Sequence, residues 1–138
     1  PFGMSACGDL YAFCSNFKTE HGSPIVYLTH DWNKAIVLAP NLESFIFRQM
    51  LECVDDMYEE EGLKVKEKVK NCKILLDKTK PYIKEKWFDI LDEIYARPIK
   101  YTKKTRSYYL IDKNELDRHI ADEINFRYLN YKFKHMED

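Results

Sequence analysis

The hydrophobic period of the chain changes at Pro40, and this change constrains the fold more than any other feature. Before Pro40, short runs rich in β-branched and aromatic residues alternate with Gly, Pro, Asn and Asp, which is typical of strands and turns. After Pro40, apolar residues recur at helical spacing. Strands followed by helices predict an α+β fold. We expect an antiparallel meander packed against helices, with a helical and hairpin extension at the C-terminal end.

Short turns separate the predicted strands. The runs at 10–14, 25–30 and 35–39 are each preceded by a turn signal, such as Gly8-Asp9 before the first. Turns this short imply antiparallel neighbours, because parallel neighbours need a long crossover.

A first helix is predicted directly after Pro40, with Asn41 as its cap and Gly62 at its exit. Its apolar stripe consists of Leu42, Phe45, Ile46, Met50, Cys53, Val54 and Met57. A second helix over about 64–76 is interrupted by Pro81, and a third continues to about Tyr95.

The remaining residues predict a hairpin and a last helix. Residues 99–101 and 107–111 pair in this prediction around a polar tip. Asp112 then caps a helix whose buried stripe is Leu116, Ile120, Ile124 and Tyr128. We expect the tail to fray from Lys132.

Composition limits the possible functions. A chain of 138 residues fits one domain. Its net charge is -1, so it lacks the strong electrostatic field expected of a dedicated nucleic-acid binder. The charge is uneven, since acids dominate 41–62 and lysines dominate 63–86. The cysteines stand singly, which predicts reduced thiols in the cytoplasm. Neither a leader nor a membrane-spanning run is visible in the sequence.

Candidate catalytic and metal-binding groups have simpler structural explanations. His30 and Asp31 are adjacent in sequence, so a strand would point them to opposite faces and prevent a dyad. His119 and Glu123 supply only half of a metal site, and their spacing suits an ion pair. No phosphate-binding loop is present in the sequence. We therefore predict no enzyme activity, no catalytic residues, no metal and no cofactor.

An ordered set of short motifs near the start resembles the SUKH superfamily. A Gly-Asp begins a strand, a strand ends in His-Asp, and a Leu-Ala precedes a helix that carries a Phe. The matching residues are Gly8, Asp9, His30, Asp31, Leu38, Ala39, Leu42 and Phe45. The match covers about residues 1–46, so 1–138 is interpreted as a single SUKH-like domain that lacks the family's N-terminal portion.

The resemblance implies a binding role. Bacterial members of the family are immunity proteins that neutralise polymorphic toxins, often nucleases or deaminases, whereas fungal members regulate cell-wall synthesis as interaction hubs. We expect a bacterial cytoplasmic immunity protein first, a cell-wall regulatory scaffold second and a nucleic-acid-binding module third.

An acidic stretch is the predicted partner-binding surface. A basic partner would associate faster with such a surface, and tyrosine is a common interface anchor. The predicted binding residues are Asp55, Asp56, Tyr58, Glu59 and Glu60. The alternative is that these acids screen the neighbouring lysines and keep the domain in solution.

Overall fold

The structure is a computed structural model, and it describes residues 1–15, 20, 22–30 and 34–134. Its strands are β1 (Gly3–Met4), β2 (Leu10–Phe13), β3 (Ile25–Leu28), β4 (Lys34–Ala39), β5 (Lys100–Thr102), β6 (Ser107–Tyr109) and β7 (Lys132–Lys134). Its α-helices are α1 (Leu42–Glu52), α2 (Val65–Thr79), α3 (Glu85–Tyr95) and α4 (Lys113–His119). A 3-10 turn spans Lys80–Tyr82 and a π-helical turn spans Ile120–Ile124. The predicted α+β class is confirmed.

The described strands form an antiparallel sheet in the order β1-β2-β3-β4-β7, beside a separate β5-β6 hairpin. The strands predicted at 10–14, 25–30 and 35–39 correspond to β2, β3 and β4. Short connections make them antiparallel neighbours, as the sequence predicted. The hairpin predicted from residues 99–111 is also present.

A bulge in β4 decides which residues share a face of the sheet. Ile25 pairs with Ala39 and Val26 pairs with Val37, so Leu38 is an extra residue opposite β3. Leu38 and Ala39 therefore join the same core cluster although they are adjacent in sequence. The opposite face buries Val37 against a second cluster, which includes Phe126 and Phe133 from the C-terminal segment.

Two helices begin at the capping residues that the sequence predicted, and Pro81 separates two others. Asn41 Oδ1 accepts a hydrogen bond from the Ser44 N–H at 2.9 Å, which caps α1. The Asp112 carboxylate accepts one from the Glu115 N–H at 2.8 Å, which caps α4. Pro81 lies in the 3-10 turn that separates α2 from α3. Trp87 of α3 is buried and stacks on Phe47, with ring centroids 4.6 Å apart.

Helix α1 is shorter than predicted. The apolar spacing continues to Met57, but the helix ends at Glu52. Val54 C=O accepts a hydrogen bond from the Leu110 N–H at 2.8 Å, and Met57 exchanges two 2.8 Å backbone hydrogen bonds with Tyr108. Val54 and Met57 are buried as the pattern requires. Their backbone groups bond to the hairpin segment instead of continuing a helix.

Both predictions for the C-terminal segment need correction. The last helix becomes a π-helical turn at Ile120 and ends at Ile124, so Tyr128 lies in a later turn and not on its stripe. The tail was expected to fray from Lys132, but Lys132–Lys134 form β7. This strand pairs with β4, where Phe133 lies opposite Ala35. Residues 135–138 lie outside the described residues.

The chain divides into two compact units. The first contains Pro1–Phe45 and Ala121–Asp138, and the second contains Ile46–Ile120. Helix α1 starts in the first unit and continues into the second. Whether 1–138 is one SUKH-like domain stays a prediction. None of the described helices combines the length and apolar composition needed to cross a membrane.

Candidate functional site

Asp9 organises a polar cluster in the first unit. Its carboxylate accepts hydrogen bonds from the Tyr27 hydroxyl and, at 2.9 Å, from the backbone N–H of His30. The His30 ring nitrogen Nδ1 lies 2.7 Å from the same carboxylate. We call these three residues the Asp9 cluster. It ties the start of β2 to the end of β3.

The turn before β2 fixes the position of Asp9. Gly8 has a φ of +90°, a conformation that side chains with a Cβ rarely adopt. Ser5 closes the turn, since its C=O accepts from the Gly8 N–H at 3.1 Å and its Oγ accepts from the Asp9 N–H at 3.1 Å. Gly8 and Asp9 are therefore structural residues of one turn.

Hydrogen bonds stabilise the charged form of Asp9. The Tyr27 hydroxyl, followed by the His30 backbone N–H and ring, lowers the pKa of Asp9 from 3.8 to about 2. The same interaction with the Asp9 carboxylate raises the pKa of Tyr27. Asp9 is a fixed anion at neutral pH.

The sequence predicted that His30 lies at a turn but did not identify its carboxylate partner. His30 lies at a turn, as expected, but its carboxylate partner is Asp9, 21 positions earlier. Asp31 lies outside the described residues. The sequence contained both halves of the pair in the Gly-Asp and His-Asp motifs. Only the β2-β3 register brings them together, because it places Leu10 opposite Leu28.

The other motif residues contribute to the core, with one exception. Leu38, Ala39 and Phe45 are buried and share a cluster with Ile25. Phe45 also contacts the Tyr11 ring, with centroids 5.4 Å apart. Leu42 is 44% exposed, so its predicted place in the buried stripe is wrong. It is the first residue of α1.

The predicted acidic surface is a loop and not a helix. Residues 53–63, here called the acidic loop, connect α1 to α2 in the second unit. The backbone pairing of Met57 with Tyr108 attaches this loop to β6. A tight turn closes its far end, where Glu60 and Leu63 exchange backbone hydrogen bonds around Gly62, whose φ is +80°. The loop and the hairpin therefore form one surface.

The five predicted binding residues have different roles. Glu59 accepts a hydrogen bond from the Val65 N–H at 3.0 Å, which caps the start of α2. Glu60 forms a 3.2 Å ion pair with Lys68, and Lys68 also donates to the Tyr58 C=O at 2.5 Å. These acids stabilise the junction with α2, which agrees with the alternative of acids screening lysines. Asp55, Asp56 and Tyr58 lie elsewhere on the loop.

Asp55 and Asp56 line a groove beside the hairpin. The groove has a volume of about 490 Å³ and is here called the acidic-loop groove. Its other lining residues are Thr102, Lys104, Thr105, Ser107, Tyr109, Asp112 and Lys113. No local sequence pattern indicated the hairpin side of this groove, since the pairing of Met57 with Tyr108 depends on tertiary contacts.

Asp55 is the least favourably placed carboxylate of the acidic loop. Burial is the main cause that raises its pKa, and the charges of Glu52 and Asp56 raise it further. Glu52 already has a cation, because Arg48 Nε lies 2.7 Å from its carboxylate. Among the described residues, no cation lies within ion-pair distance of Asp55, and Lys113 only partly offsets its raised pKa.

Exposed aromatic rings surround this part of the surface. Tyr58 is 45% exposed, and its hydroxyl donates to Asp56 at 3.1 Å. Tyr101 on β5 is also exposed and packs against Tyr108, with ring centroids 4.9 Å apart. Paired tyrosines on a hairpin provide rigid contact area at low entropic cost.

Two further grooves lie in the second unit. One, between α3 and α4, contains Arg97, which pairs with Glu115 at 2.7 Å and Glu93 at 2.8 Å. His119 lies 3.8 Å from Glu115, so its contact is with that residue and not the predicted Glu123. The other groove is lined by Lys66, Lys70 and Lys73 of α2 together with Ile99.

The chain was compared with protein-family models, with curated proteins and with solved structures. None of these comparisons found a match. In the part of the chain that the structure describes, no group of three or more His, Cys, Asp or Glu side chains could hold a metal ion.

Proposed function

We propose that this chain is a non-catalytic protein-binding domain of the SUKH type, which binds a basic partner through the acidic-loop groove. The first candidate partner is a polymorphic toxin of the nuclease or deaminase class, neutralised in a bacterial cytoplasm. The observation that carries the proposal is Asp55, a half-buried carboxylate beside Glu52 and Asp56 without a cation of its own in the described chain.

A partner cation would relieve this unfavourable position. Burial and like charges make the ionised Asp55 costly in the free domain. A lysine or arginine from a partner, placed between Asp55 and Asp56, would compensate both effects. Carboxylates in costly environments are concentrated at functional sites, because selection for folding alone would remove them.

The composition of the surface supports protein binding rather than capture of a small molecule. Tyr58 on the acidic loop and Tyr101 on the hairpin are exposed, and tyrosine is enriched among interface anchors. The groove contains hydroxyls, such as Thr105 and Ser107, whose oxygens are 2.6 Å apart. Such a mixture of aromatic, hydroxyl and charged groups is typical of polar protein interfaces.

The motif resemblance supports the same proposal from the first unit. Apart from the exposed Leu42, its described residues lie in two places, the turn and cluster of Asp9 and the core around Phe45. Their structural roles suit residues that maintain a binding scaffold.

The test is an affinity purification from lysate of the source organism with three forms of the full chain. These are the unaltered chain, Asp55→Lys/Asp56→Lys, and the matched control Asp77→Lys/Asp92→Lys. The control makes the same charge change at exposed helical acids of the second unit. We expect the groove variant to lose affinity about tenfold or more, because like charges would then meet a basic partner. The control should bind normally.

The identity of the captured protein decides between the candidates. A nuclease or deaminase whose activity is inhibited by the added chain supports immunity. A cell-wall enzyme or regulator captured through the same groove would favour the scaffold alternative. Equal binding by both double variants would contradict the assignment of the groove.

The lysine groove of α2 favours nucleic-acid binding as the third candidate, after immunity and the regulatory scaffold. Lys66, Lys70 and Lys73 share one groove, which could follow a phosphate backbone. Fluorescence anisotropy with labelled single-stranded RNA and DNA at increasing salt would test it. A steep salt dependence that disappears in Lys66→Gln/Lys70→Gln/Lys73→Gln would support this candidate. Lack of binding even at low salt would exclude it.

A further inference from the structure

Two cysteines of the second unit lie side by side. Cys53 is the first residue after α1, and Cys72 is on α2. Their sulfur atoms are 3.5 Å apart, although the residues are separated by 19 positions. Cys53 is exposed and Cys72 is half-buried. Cys53 is therefore the more accessible residue of the pair.

The surroundings make the two thiols chemically unequal. Hydrogen bonding from the Cys72 thiol lowers the pKa of Cys53, and the same interaction raises the pKa of Cys72. Cys53 Sγ also lies 3.2 Å from the Met50 C=O and 3.6 Å from the Tyr95 hydroxyl. That hydroxyl is buried and donates to the same Met50 carbonyl at 2.6 Å. Cys53 therefore carries the more nucleophilic sulfur of the pair, and its position is held by the contacts with Met50 and Tyr95.

We propose that Cys53 and Cys72 are a redox-modification site, which forms a reversible intramolecular disulfide with hydrogen peroxide or a low-molecular-weight disulfide. In the reduced form described here the sulfurs are too far apart for a bond, and they must approach to about 2.05 Å. The sulfurs already lie 3.5 Å apart, so only a short approach is required.

The chemistry balances with either oxidant. With peroxide, the Cys53 thiolate attacks one oxygen, the O–O bond breaks, and a sulfenic acid and hydroxide form. The Cys72 sulfur then attacks Cys53 Sγ, and its proton leaves with the sulfenic oxygen as water. Two thiols and one peroxide give one disulfide and two waters. With oxidised glutathione, two thiols give one disulfide and two glutathiones through a mixed disulfide on Cys53.

The bridge would enclose the acidic loop. Asp55, Asp56 and Tyr58 lie between the two cysteines in sequence, so oxidation would close a covalent ring around them. The site itself rests on the sulfur geometry and not on the proposed function. A failure of partner binding would leave it intact.

The test is thiol mapping of the full chain after exposure to oxidised glutathione or hydrogen peroxide. Free thiols are alkylated, the protein is digested, and the peptides are identified by mass spectrometry. We expect a Cys53–Cys72 cross-linked peptide, lighter by two hydrogen atoms than the two thiol peptides together and lost on reduction. Cys7, which is exposed, reports ordinary accessibility in the same sample.

Two variants make the result decisive. In Cys72→Ser, Cys53 should retain glutathione as a stable mixed disulfide, because the resolving thiol is gone. The matched control Cys14→Ser should form the cross-link as the unaltered chain does. The proposal is overturned if Cys53 keeps its glutathione while Cys72 is present, or if both thiols stay alkylatable while Cys7 is oxidised.

Discussion

Asp9 and Asp55 are both half-buried aspartates, but their pKa values shift in opposite directions. The Asp9 carboxylate accepts hydrogen bonds from the Tyr27 hydroxyl and the His30 backbone N–H and contacts the His30 ring, so its pKa falls to about 2. Asp55 is partly buried and lies near the charges of Glu52 and Asp56, so its pKa rises. The first carboxylate is satisfied within its own unit. The second forms no ion pair with a cation of the described residues.

The difference separates an acid with a structural role from the acid that we propose for partner binding. A carboxylate with several donors contributes to folding, whereas one whose pKa is raised by burial and like charges reduces stability at neutral pH. Residue type does not distinguish Asp9 from Asp55. Their surroundings do, because hydrogen-bond donors dominate around Asp9 whereas burial and like charges dominate around Asp55.

The largest effect is expected for Asp9→Asn. The substitution weakens a charge-assisted acceptor and places an amide N–H₂ among donors, so the melting temperature should fall at neutral pH. Asp112→Asn is the matched control, because Asp112 also accepts a backbone N–H but Asn is an equally good helix cap. Thermal unfolding followed by circular dichroism measures both.

The pH dependence sharpens this test. The pKa of Asp9 in the fold is about 2, below its ordinary value of 3.8, so its contribution to stability is complete above 3.8. That contribution is lost as the pH falls through about 2. The difference between the unaltered chain and Asp9→Asn should therefore shrink as the pH is lowered from 3.8 towards about 2. A constant difference would mean that the Asp9 charge does not contribute.

A smaller effect is expected for Gly8→Ala, which changes the turn that positions Asp9. A Cβ at Gly8 would meet nothing within 4 Å, but the φ of +90° would be strained. We expect a loss of about 1–2 kcal/mol in the free energy of unfolding, measured by urea denaturation. Gly3→Ala is the control, since its Cβ would make only ordinary contact with Tyr11 at 3.6 Å. An equal loss in both variants would contradict strain at Gly8.

The smallest effect, with the opposite sign, is expected for Asp55→Asn. Because the pKa of Asp55 is raised in the fold, its charged form costs stability above that pKa and costs nothing below the ordinary value of 3.8. The variant should be more stable at neutral pH by less than about 1 kcal/mol. The gain in stability should disappear below pH 3.8. At neutral pH the variant should also bind the partner more weakly than the unaltered chain. Destabilisation at neutral pH would remove the contrast with Asp9.

Much of the fold could be predicted because its signals are local. The strands β2, β3 and β4, the caps Asn41 and Asp112, and the break at Pro81 each depend on residues close in sequence. The acidic residues lie on a loop and not on the helix that their spacing predicted. The spacing of Val54 and Met57 suits a helix and a buried loop equally well, and the backbone of the hairpin segment decided between them.

By itself, the sequence determined the α+β class, the sheet meander and the position of the acidic residues in the chain. Those features follow from hydrophobic period, turn chemistry and charge, which neighbouring residues carry. Only the tertiary structure decided that His30 meets Asp9, that Lys132–Lys134 complete the sheet edge at β4, and that Cys53 meets Cys72. Such contacts join residues far apart in sequence, and their partners are selected by strand register and helix packing, which no local pattern encodes.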